Sequence, residues 1–331
     1  MATPNPLQDT HSSSPPAISV TTIHVAGILT DIYGLEELSP SCKSISCLWL
    51  LHPRLQQRAI MSSVASSCIN DWKQRTSSDS TGLIAVAFDQ RNHGSRCVKE
   101  LANEAWRGGN VIITGTAIDV SCLIDHIGAY IFHGPDDPIL DQHFVLGISL
   151  GGHAAWQVVF NEPRVTAAVV VIGCPDYMRM MTDRARLSKL KTYTTSNGAT
   201  FLGSADFPNA LISSCEKGDA KGILFGTGEI NANPSEEEQR KLRPLLDEKL
   251  KGKHVLICSG GEDKLVPYHC SEPFLTFLKQ ATNGWYKDGG VYVEDNVYAG
   301  VGHAYSEGMV KDTTRFVSDL IASSHKPASK I

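Results

Sequence analysis

Ser149 combines the residue type and the neighbours that nucleophilic catalysis needs. It lies in the segment Gly-Ile-Ser-Leu-Gly at 147–151, between a run typical of a strand and a run typical of a helix. A sharp turn between such elements strains the central residue, and small flanking residues, here Gly147 and Gly151, prevent clashes. The spacing predicts that Ser149 presents its hydroxyl at the carboxyl edge of a sheet.

A serine becomes an effective nucleophile when a base removes its proton and a third group orients that base. Asp263 comes after the apolar run 254–259, in a glycine-rich loop that reaches a proline. His303 comes after the alternating run 289–299, in a Gly-Val-Gly-His loop. Each of the three residues therefore follows a predicted strand, and strand ends can bring them together at one edge of a sheet.

Further apolar runs indicate the sheet that would position these residues. Residues 46–51 and 83–88 have the length and composition of buried strands. The first is followed by His-Pro-Arg at 52–54 and the second by Asp-Gln-Arg-Asn-His-Gly at 89–94. Polar, turn-forming residues thus follow each predicted strand, at the edge of the sheet where Ser149 is expected.

Four motifs in a fixed order carry a resemblance to a known family. They are the D-x-R-x-H-G loop, the glycine-flanked serine, the G-x-D-x-x-V-P segment and the Gly-His pair at 302–303. Over residues 17–323 the chain resembles the α/β-hydrolases. The resemblance implies an α/β protein with a mostly parallel, eight-stranded sheet flanked by helices. It also implies a cofactor-independent serine hydrolase with Ser149, Asp263 and His303 as the catalytic residues.

The resemblance also implies an oxyanion hole formed by two backbone N–H groups. The first is the N–H of Leu150, which follows the nucleophile. Many members carry His-Gly where this chain has His-Pro at 52–53, and proline has no N–H to donate. The second donor is therefore expected to be the following residue, Arg54.

Several neighbouring polar residues allow two interpretations. Asp263 matches the family's acid position better than the adjacent Glu262, and Asp176 is an alternative because some relatives place the acid after an earlier strand. Arg91 and His93 either contact the substrate or hold the 89–94 loop in place.

The composition excludes several classes of protein. The chain has 331 residues, of which 42% are hydrophobic, enough for one large α/β core. The net charge of −5 and the absence of long basic runs argue against a nucleic-acid partner. No apolar run suggests a membrane span, and the histidines show no metal-ligand spacing, so no metal is expected. The nine scattered cysteines indicate reduced thiols.

The two ends of the chain carry separate predictions. Residues 1–16 are rich in Ser, Thr and Pro and predict a disordered arm rather than a secretory signal. The tail 324–331 ends in Ser329, Lys330 and Ile331, close to the Ser-Lys-Leu signal that a peroxisomal import receptor reads. This ending is similar to that of fungal hydrolases for host-selective toxins of the epoxy-decatrienoate (AK and AF) type, which implies a peroxisomal biosynthetic role. A frayed tail on a cytoplasmic protein is the alternative.

The segment 174–250 predicts a lid insertion over the site. Apolar residues at near-helical spacing between 175 and 190 indicate one helix, and Ser235 with Glu238 indicates a capping box at the start of another. Residues 198–228 are rich in small residues and are predicted to form mobile loops. The alternative is that these helices simply pack on the core.

Together these features predict cleavage of an ester or thioester of a small, apolar acyl or polyketide-like substrate. A serine that opened an epoxide would be left as a stable ether, so the scissile bond should be at a carbonyl. Three alternatives remain: an acyltransferase or cyclase on the same residues, a peptidase similar to prolyl oligopeptidases, and a binding protein without catalysis.

Overall fold

The computed structural model describes residues 5–8, 10, 15–76, 79–104 and 108–324. Its strands are β1 (Val20–Val25), β2 (Ile28–Tyr33), β3 (Ser44–Leu51), β4 (Thr81–Phe88), β5 (Ile139–Ile148), β6 (Val165–Val171), β7 (His254–Gly260) and β8 (Tyr292–Tyr298). Its helices are α1 (Ser62–Arg75), α2 (Gly108–Ile131), α3 (Leu150–Asn161), α4 (Tyr177–Leu187), α5 (Lys191–Thr194), α6 (Asn209–Gly218), α7 (Ala220–Phe225), α8 (Glu236–Lys249), α9 (Tyr268–Asn283) and α10 (Glu307–Ser324).

Eight strands of the described chain form one sheet in the order β1-β2-β4-β3-β5-β6-β7-β8. The pairs β1/β2 and β2/β4 are antiparallel, and the pairs from β4 to β8 are parallel. A parallel sheet needs crossover helices on its faces, which buries both sides of its strands. The carboxyl ends of β3 to β8 therefore meet at one edge, as the sequence predicted.

Both faces of the sheet are covered by apolar side chains. Along β3, Cys47 and Trp49 belong to one core cluster, and Leu48 and Leu50 belong to the other. This alternation follows from the period of two of a strand. The continuous apolar run 46–51 is thus a strand buried on both faces, which fixes the direction of the loop that follows it.

The segment between β6 and β7 contains α4 to α8. The helix predicted between 175 and 190 forms as α4, and the predicted capping box is present at the start of α8. The prediction of loops over 198–228 was wrong for much of that range, because α6 and α7 form there. Leu211 and Cys215, one helical turn apart, are buried, and this packing stabilises a segment with a loop-like composition.

One helix, over Gly109–Ile131, is long and apolar enough to cross a membrane, by length and composition alone, in the part of the chain that the structure describes. Half of its most apolar stretch is buried inside the molecule, and α2 packs against α3. Burial of this kind is typical of a helix in a protein core.

The predictions for the two ends of the chain concern residues that the structure describes only in part. Within the predicted arm 1–16, Pro6 and Thr10 are buried, and the N–H of Tyr305 donates to the carbonyl of Pro6 at 2.8 Å. The predicted targeting residues Ser329, Lys330 and Ile331 lie outside the described residues, so their role stays a prediction.

Candidate active site

Ser149 lies on the tight turn between β5 and α3. Its backbone has φ 56° and ψ −111°, a conformation that a residue with a side chain rarely adopts. Two backbone bonds hold it there: its N–H donates to Val171 at the end of β6, and its carbonyl accepts from His153 one turn into α3. The turn places the hydroxyl at the carboxyl edge of the sheet.

Glycines around this turn are required by close backbone contacts. A Cβ at Gly147 would lie 1.9 Å from the carbonyl oxygen of Gly151. A Cβ at Gly151 would lie 2.0 Å from the carbonyl oxygen of Leu51, the last residue of β3. Neither position tolerates a side chain without movement of the backbone, so the local steric argument from the sequence agrees with the structure.

The structure brings together the three residues that the sequence singled out. The hydroxyl Oγ of Ser149 lies 2.9 Å from Nε2 of His303, and Nδ1 of His303 lies 2.8 Å from Oδ2 of Asp263. The three come from the loops after β5, β7 and β8. A carboxylate accepts hydrogen bonds but has no hydrogen to donate, so Nδ1 of His303 carries the hydrogen and Nε2 is left to accept from the Ser149 hydroxyl.

The carboxylate of Asp263 is held on both oxygens. While Oδ2 faces His303, Oδ1 accepts the N–H groups of Leu265 at 2.8 Å and Val266 at 2.9 Å. The side chain of Asp263 is fully buried. These bonds fix the carboxylate against the imidazole.

The two alternative acids lie elsewhere. Glu262 is exposed, and its N–H donates to the carbonyl of Val301. Asp176 caps α4 by accepting the N–H of Arg179 at 2.9 Å. Burial raises the pKa of Asp176. The geometry therefore favours Asp263 as the partner of His303.

The loop after β3 contains the second expected oxyanion donor, Arg54. The N–H of Gln90 donates to Nε2 of His52 at 3.0 Å, so Nδ1 of His52 carries the hydrogen and donates to the carbonyl of Pro53 at 2.7 Å. Carbonyl and N–H point in opposite directions across a trans peptide, so this bond sets the direction of the Arg54 N–H. Burial lowers the pKa of His52 to about 4, which keeps the ring neutral.

The first expected oxyanion donor, Leu150, is the first residue of α3. N–H groups in the first turn of a helix have no acceptor within the helix, and they lie at the positive end of its dipole. A negatively charged oxygen beside Ser149 would be stabilised at this position.

The D-x-R-x-H-G loop holds its own turn together. Asp89 accepts from the N–H and side chain of Arg58 and from the N–H and hydroxyl of Ser95. Arg91 pairs with Asp119 at 3.0 Å, and Nδ1 of His93 lies 3.0 Å from the carbonyl of Arg91. These contacts favour the structural interpretation of Arg91 and His93.

Sequence reasoning gave no role to His153, which lies one turn after Ser149. The N–H of Cys174 donates to its Nδ1 at 2.9 Å, and the ring meets the edge of Tyr177 at 6.4 Å. Burial lowers the pKa of His153 to about 3. A neutral imidazole thus links α3 to the segment before α4. Its position four residues after the serine was the only signal in the sequence.

Among the described residues, one group has the spacing of metal ligands: Asp183, His269 and Cys270, whose ligand atoms all lie within 4.8 Å of one another. The carboxylate of Asp183 is already paired with Arg186 at 2.8 Å. Burial, reinforced by Asp183, raises the pKa of the Cys270 thiol to about 12. This group shares no residue with the Ser149 site.

Comparisons with known proteins address the fold. No protein-family model and no curated protein matches the sequence. A protein of Thermus thermophilus superposes with a TM-score of 0.56 over 92% of this chain and 99% of its own, at 15% identity. The acylaminoacyl peptidase of Pyrococcus horikoshii gives 0.53 at 14% identity, over 96% of this chain and 43% of its own. Dipeptidyl peptidase 4 of Porphyromonas gingivalis gives 0.52 at 14% identity, over 91% and 35%.

Identities of this size establish the fold alone. With its mostly parallel eight-stranded sheet and flanking helices, the chain has the α/β-hydrolase fold, and this prediction from the sequence is confirmed. The same fold supports many different reactions, so the activity must be argued from the site.

Proposed function

We propose that the protein is a serine hydrolase that cleaves an ester or thioester through an acyl-enzyme. The observation that carries the proposal is the continuous line of contacts from Asp263 through His303 to Ser149, with separations of 2.8 and 2.9 Å. A nucleophile, a base and an orienting acid at hydrogen-bonding distance are the parts that this chemistry requires.

The mechanism follows from the bonds in the site. His303 takes the proton of Ser149 as its oxygen attacks the substrate carbonyl, and Asp263 stabilises the imidazolium that forms. The N–H groups of Leu150 and Arg54 stabilise the developing oxyanion, with about 3–4 kcal/mol lost for each donor removed. The leaving group departs with the proton from His303. Water, activated by the same imidazole, then releases the acid and restores Ser149.

Esters and thioesters are the proposed substrates because their leaving groups depart readily. The helices α4 to α8 are proposed to form a lid whose apolar side chains, including Met180 and Met181 of α4, accept a flexible acyl chain. Exclusion of water by such a lid would favour acyl transfer or cyclisation over hydrolysis. Two of the structurally similar proteins are peptidases by name, and an amide is therefore the competing substrate class.

A substrate panel tests the proposal. Purified protein is assayed with p-nitrophenyl esters, acyl thioesters and amino-acid anilides, and acyl transfer is followed by product analysis with an added alcohol. We expect turnover of esters or thioesters well above that of anilides.

Two matched variants test whether the turnover depends on Asp263. Asp263→Asn should lower kcat by roughly 10⁴-fold because it favours the wrong tautomer of His303. Glu262→Gln should leave kcat within about threefold, because surface substitutions away from special contacts have small effects. Equal effects of the two variants would contradict the assignment of Asp263.

The biological setting is a separate proposal. A role in the biosynthesis of a fungal host-selective toxin, in the peroxisome, depends on the terminal Ser329, Lys330 and Ile331. A fluorescent protein fused at the amino terminus tests it, with and without these three residues. Punctate fluorescence that becomes diffuse on their removal would support peroxisomal import, and diffuse fluorescence from both forms would contradict it.

A further inference from the structure

Arg184, on α4, contacts the loop that carries the catalytic acid of the proposed mechanism. Its Nη2 donates to the carbonyl of Leu265 at 2.8 Å, and the N–H of Leu265 donates to Asp263. Tyr177, Met181 and Arg184 lie at positions i, i+4 and i+7 of the helix, so they share one face. Tyr177 and Met181 on that face are buried. Arg184 is half-buried and therefore lies toward the loop of Asp263 rather than on the outer surface of α4.

Among the residues that the structure describes, the contacts of Arg184 give its charge no counterion. Its two acceptors in the described chain are neutral: the carbonyl of Leu265 and, at 4.0 Å, the sulfur of Met181. Within the described parts of the chain Arg184 forms no ion pair. A guanidinium has five N–H donors, and two neutral contacts occupy only part of them. Donors thus remain for a ligand.

The acidic side chains near Arg184 have other partners. Asp183, its neighbour in α4, pairs with Arg186 at 2.8 Å. The carboxylate of Asp263 is occupied by His303 and by loop N–H groups. Asp176 caps the start of α4. No carboxylate in this group balances Arg184.

A second positive charge acts on the same region. Arg54, in the loop after β3, and Arg184 both lower the pKa of His153, although burial is the larger cause. Burial raises the pKa of Tyr177, and both guanidinium groups act against that rise; the Tyr177 ring also meets the His153 ring. Both guanidinium groups are therefore close enough to act on His153 and Tyr177, and His153 lies one turn of α3 after Ser149.

We propose that Arg184 binds a carboxylate of the substrate, so that the preferred ester or thioester carries a negative charge on its acyl chain. This inference rests on the proposed function and narrows its substrate class. Arg184 acts here as a specificity-determining residue. A guanidinium binds a carboxylate through two parallel N–H···O bonds, and such charge-assisted bonds are the strong ones.

The test compares charged and neutral esters of matched length. The p-nitrophenyl monoesters of succinate, glutarate and adipate are assayed beside p-nitrophenyl butyrate, valerate and hexanoate, with the wild type, Arg184→Gln, Arg184→Lys and Arg186→Gln. Arg186 is the matched control because it is exposed, lies two residues away and pairs with Asp183.

We expect the wild type to prefer at least one charged ester over its neutral partner. Arg184→Gln should lower kcat/KM for that ester by about 10- to 100-fold, since bonds to charged groups have this magnitude. The neutral esters should change by less than about threefold, Arg184→Lys should restore part of the preference, and Arg186→Gln should leave it intact. Equal losses for charged and neutral esters, or no preference in the wild type, would overturn the proposal.

Labelling by a fluorophosphonate separates this proposal from the proposed function. Free glutarate or adipate should slow the labelling of the wild type and not that of Arg184→Gln. Labelling that no dicarboxylate slows in either protein would overturn the carboxylate site while leaving the serine hydrolase intact. A complete lack of labelling would instead count against the serine hydrolase and remove both.

Discussion

The position of the Ser149 hydroxyl depends on a backbone conformation that only its neighbouring residues make possible. The serine is held at φ 56° by bonds to β6 and α3, and the chain on either side passes so close that glycine is needed at 147 and 151. A strained backbone conformation of this kind persists only where the surrounding contacts hold it in place. The position of the hydroxyl is therefore a property of the packed turn and not of the serine alone.

Because the turn is so closely packed, one added methyl group at position 151 should disturb it. Gly151→Ala places a Cβ about 2.0 Å from the carbonyl oxygen of Leu51, so the end of β3 or the turn must move. We expect a loss of about 1–3 kcal/mol in the free energy of unfolding, measured from urea unfolding curves, with slower turnover of the proposed ester substrates.

Gly128→Ala is the control for that substitution. Gly128 lies inside α2, and its Cβ would meet only Leu140 at 3.8 Å. It should stabilise the protein by about 1 kcal/mol, because alanine is the better helix former. Equal unfolding midpoints for the two variants would contradict the steric account.

Residue-scale prediction from the sequence was possible where the constraint was local. Ser149, Asp263 and His303 could be selected because each has a characteristic neighbourhood of glycines after an apolar run. Arg184 could not be selected, since its significance comes from a contact with Leu265 that lies 81 positions away in the chain.

At the scale of single elements, helix ends are set by side chains near them. The start of α8 shows this: the N–H of Ser235 donates to the Glu238 carboxylate at 2.7 Å, and the N–H of Glu238 donates to the hydroxyl of Ser235 at 3.4 Å. Two backbone groups that the helix cannot satisfy are thereby satisfied. Because the pattern is contained in four residues, it was visible in the sequence.

The cap of α8 gives a prediction at this scale. Ser235→Ala should lower the free energy of unfolding by about 1 kcal/mol, the usual cost of losing a serine cap. Ser213→Ala, at an exposed position inside α6, should be neutral or slightly stabilising. Urea unfolding followed by circular dichroism compares the two, and a cost as large at Ser213 would show that capping is not the cause.

The helices α6 and α7 mark the limit of such local reasoning. Their sequence is rich in glycine and serine, which favours loops, yet Leu211, Cys215 and Leu224 are buried. Tertiary packing overrides weak propensity at these positions. A single sequence does not show which surface those side chains will meet.

At the scale of the whole molecule, the sheet order brings distant segments into one site. The strand order β4-β3-β5-β6-β7-β8 places the ends of β3, β5, β7 and β8 along one edge. Apolar runs in the sequence identified these strands but not their order, which follows from right-handed crossovers and the packing of both faces. The lid boundaries at 174 and 250 and the domain boundaries at 17 and 323 stay predictions.

The stability of the whole molecule should depend on pH through buried histidines. Burial lowers the pKa of His153 to about 3, below the ordinary value of about 6.5. Below pH 6.5 the unfolded chain therefore binds a proton that the folded chain does not, so stability is lost as the pH falls. Burial raises the pKa values of Asp176 and Asp219, and these groups act in the opposite direction.

A variant isolates the contribution of His153. Between pH 7 and pH 5 the wild type should lose about 2 kcal/mol relative to His153→Gln, as calculated from the shifted pKa. The difference is measured as the change in the free energy of unfolding of each protein over this range. Parallel pH profiles for the two proteins would contradict the buried, neutral state of His153.

Covalent labelling reports directly on whether Ser149 is a nucleophile that His303 activates. Purified wild-type protein is treated with a fluorophosphonate, and the modified residue is identified by mass spectrometry, beside Ser149→Ala and His303→Ala. We expect one adduct, on Ser149, which is absent from Ser149→Ala and forms far more slowly in His303→Ala. No adduct on the folded wild type, or an adduct that persists at another residue in Ser149→Ala, would contradict it.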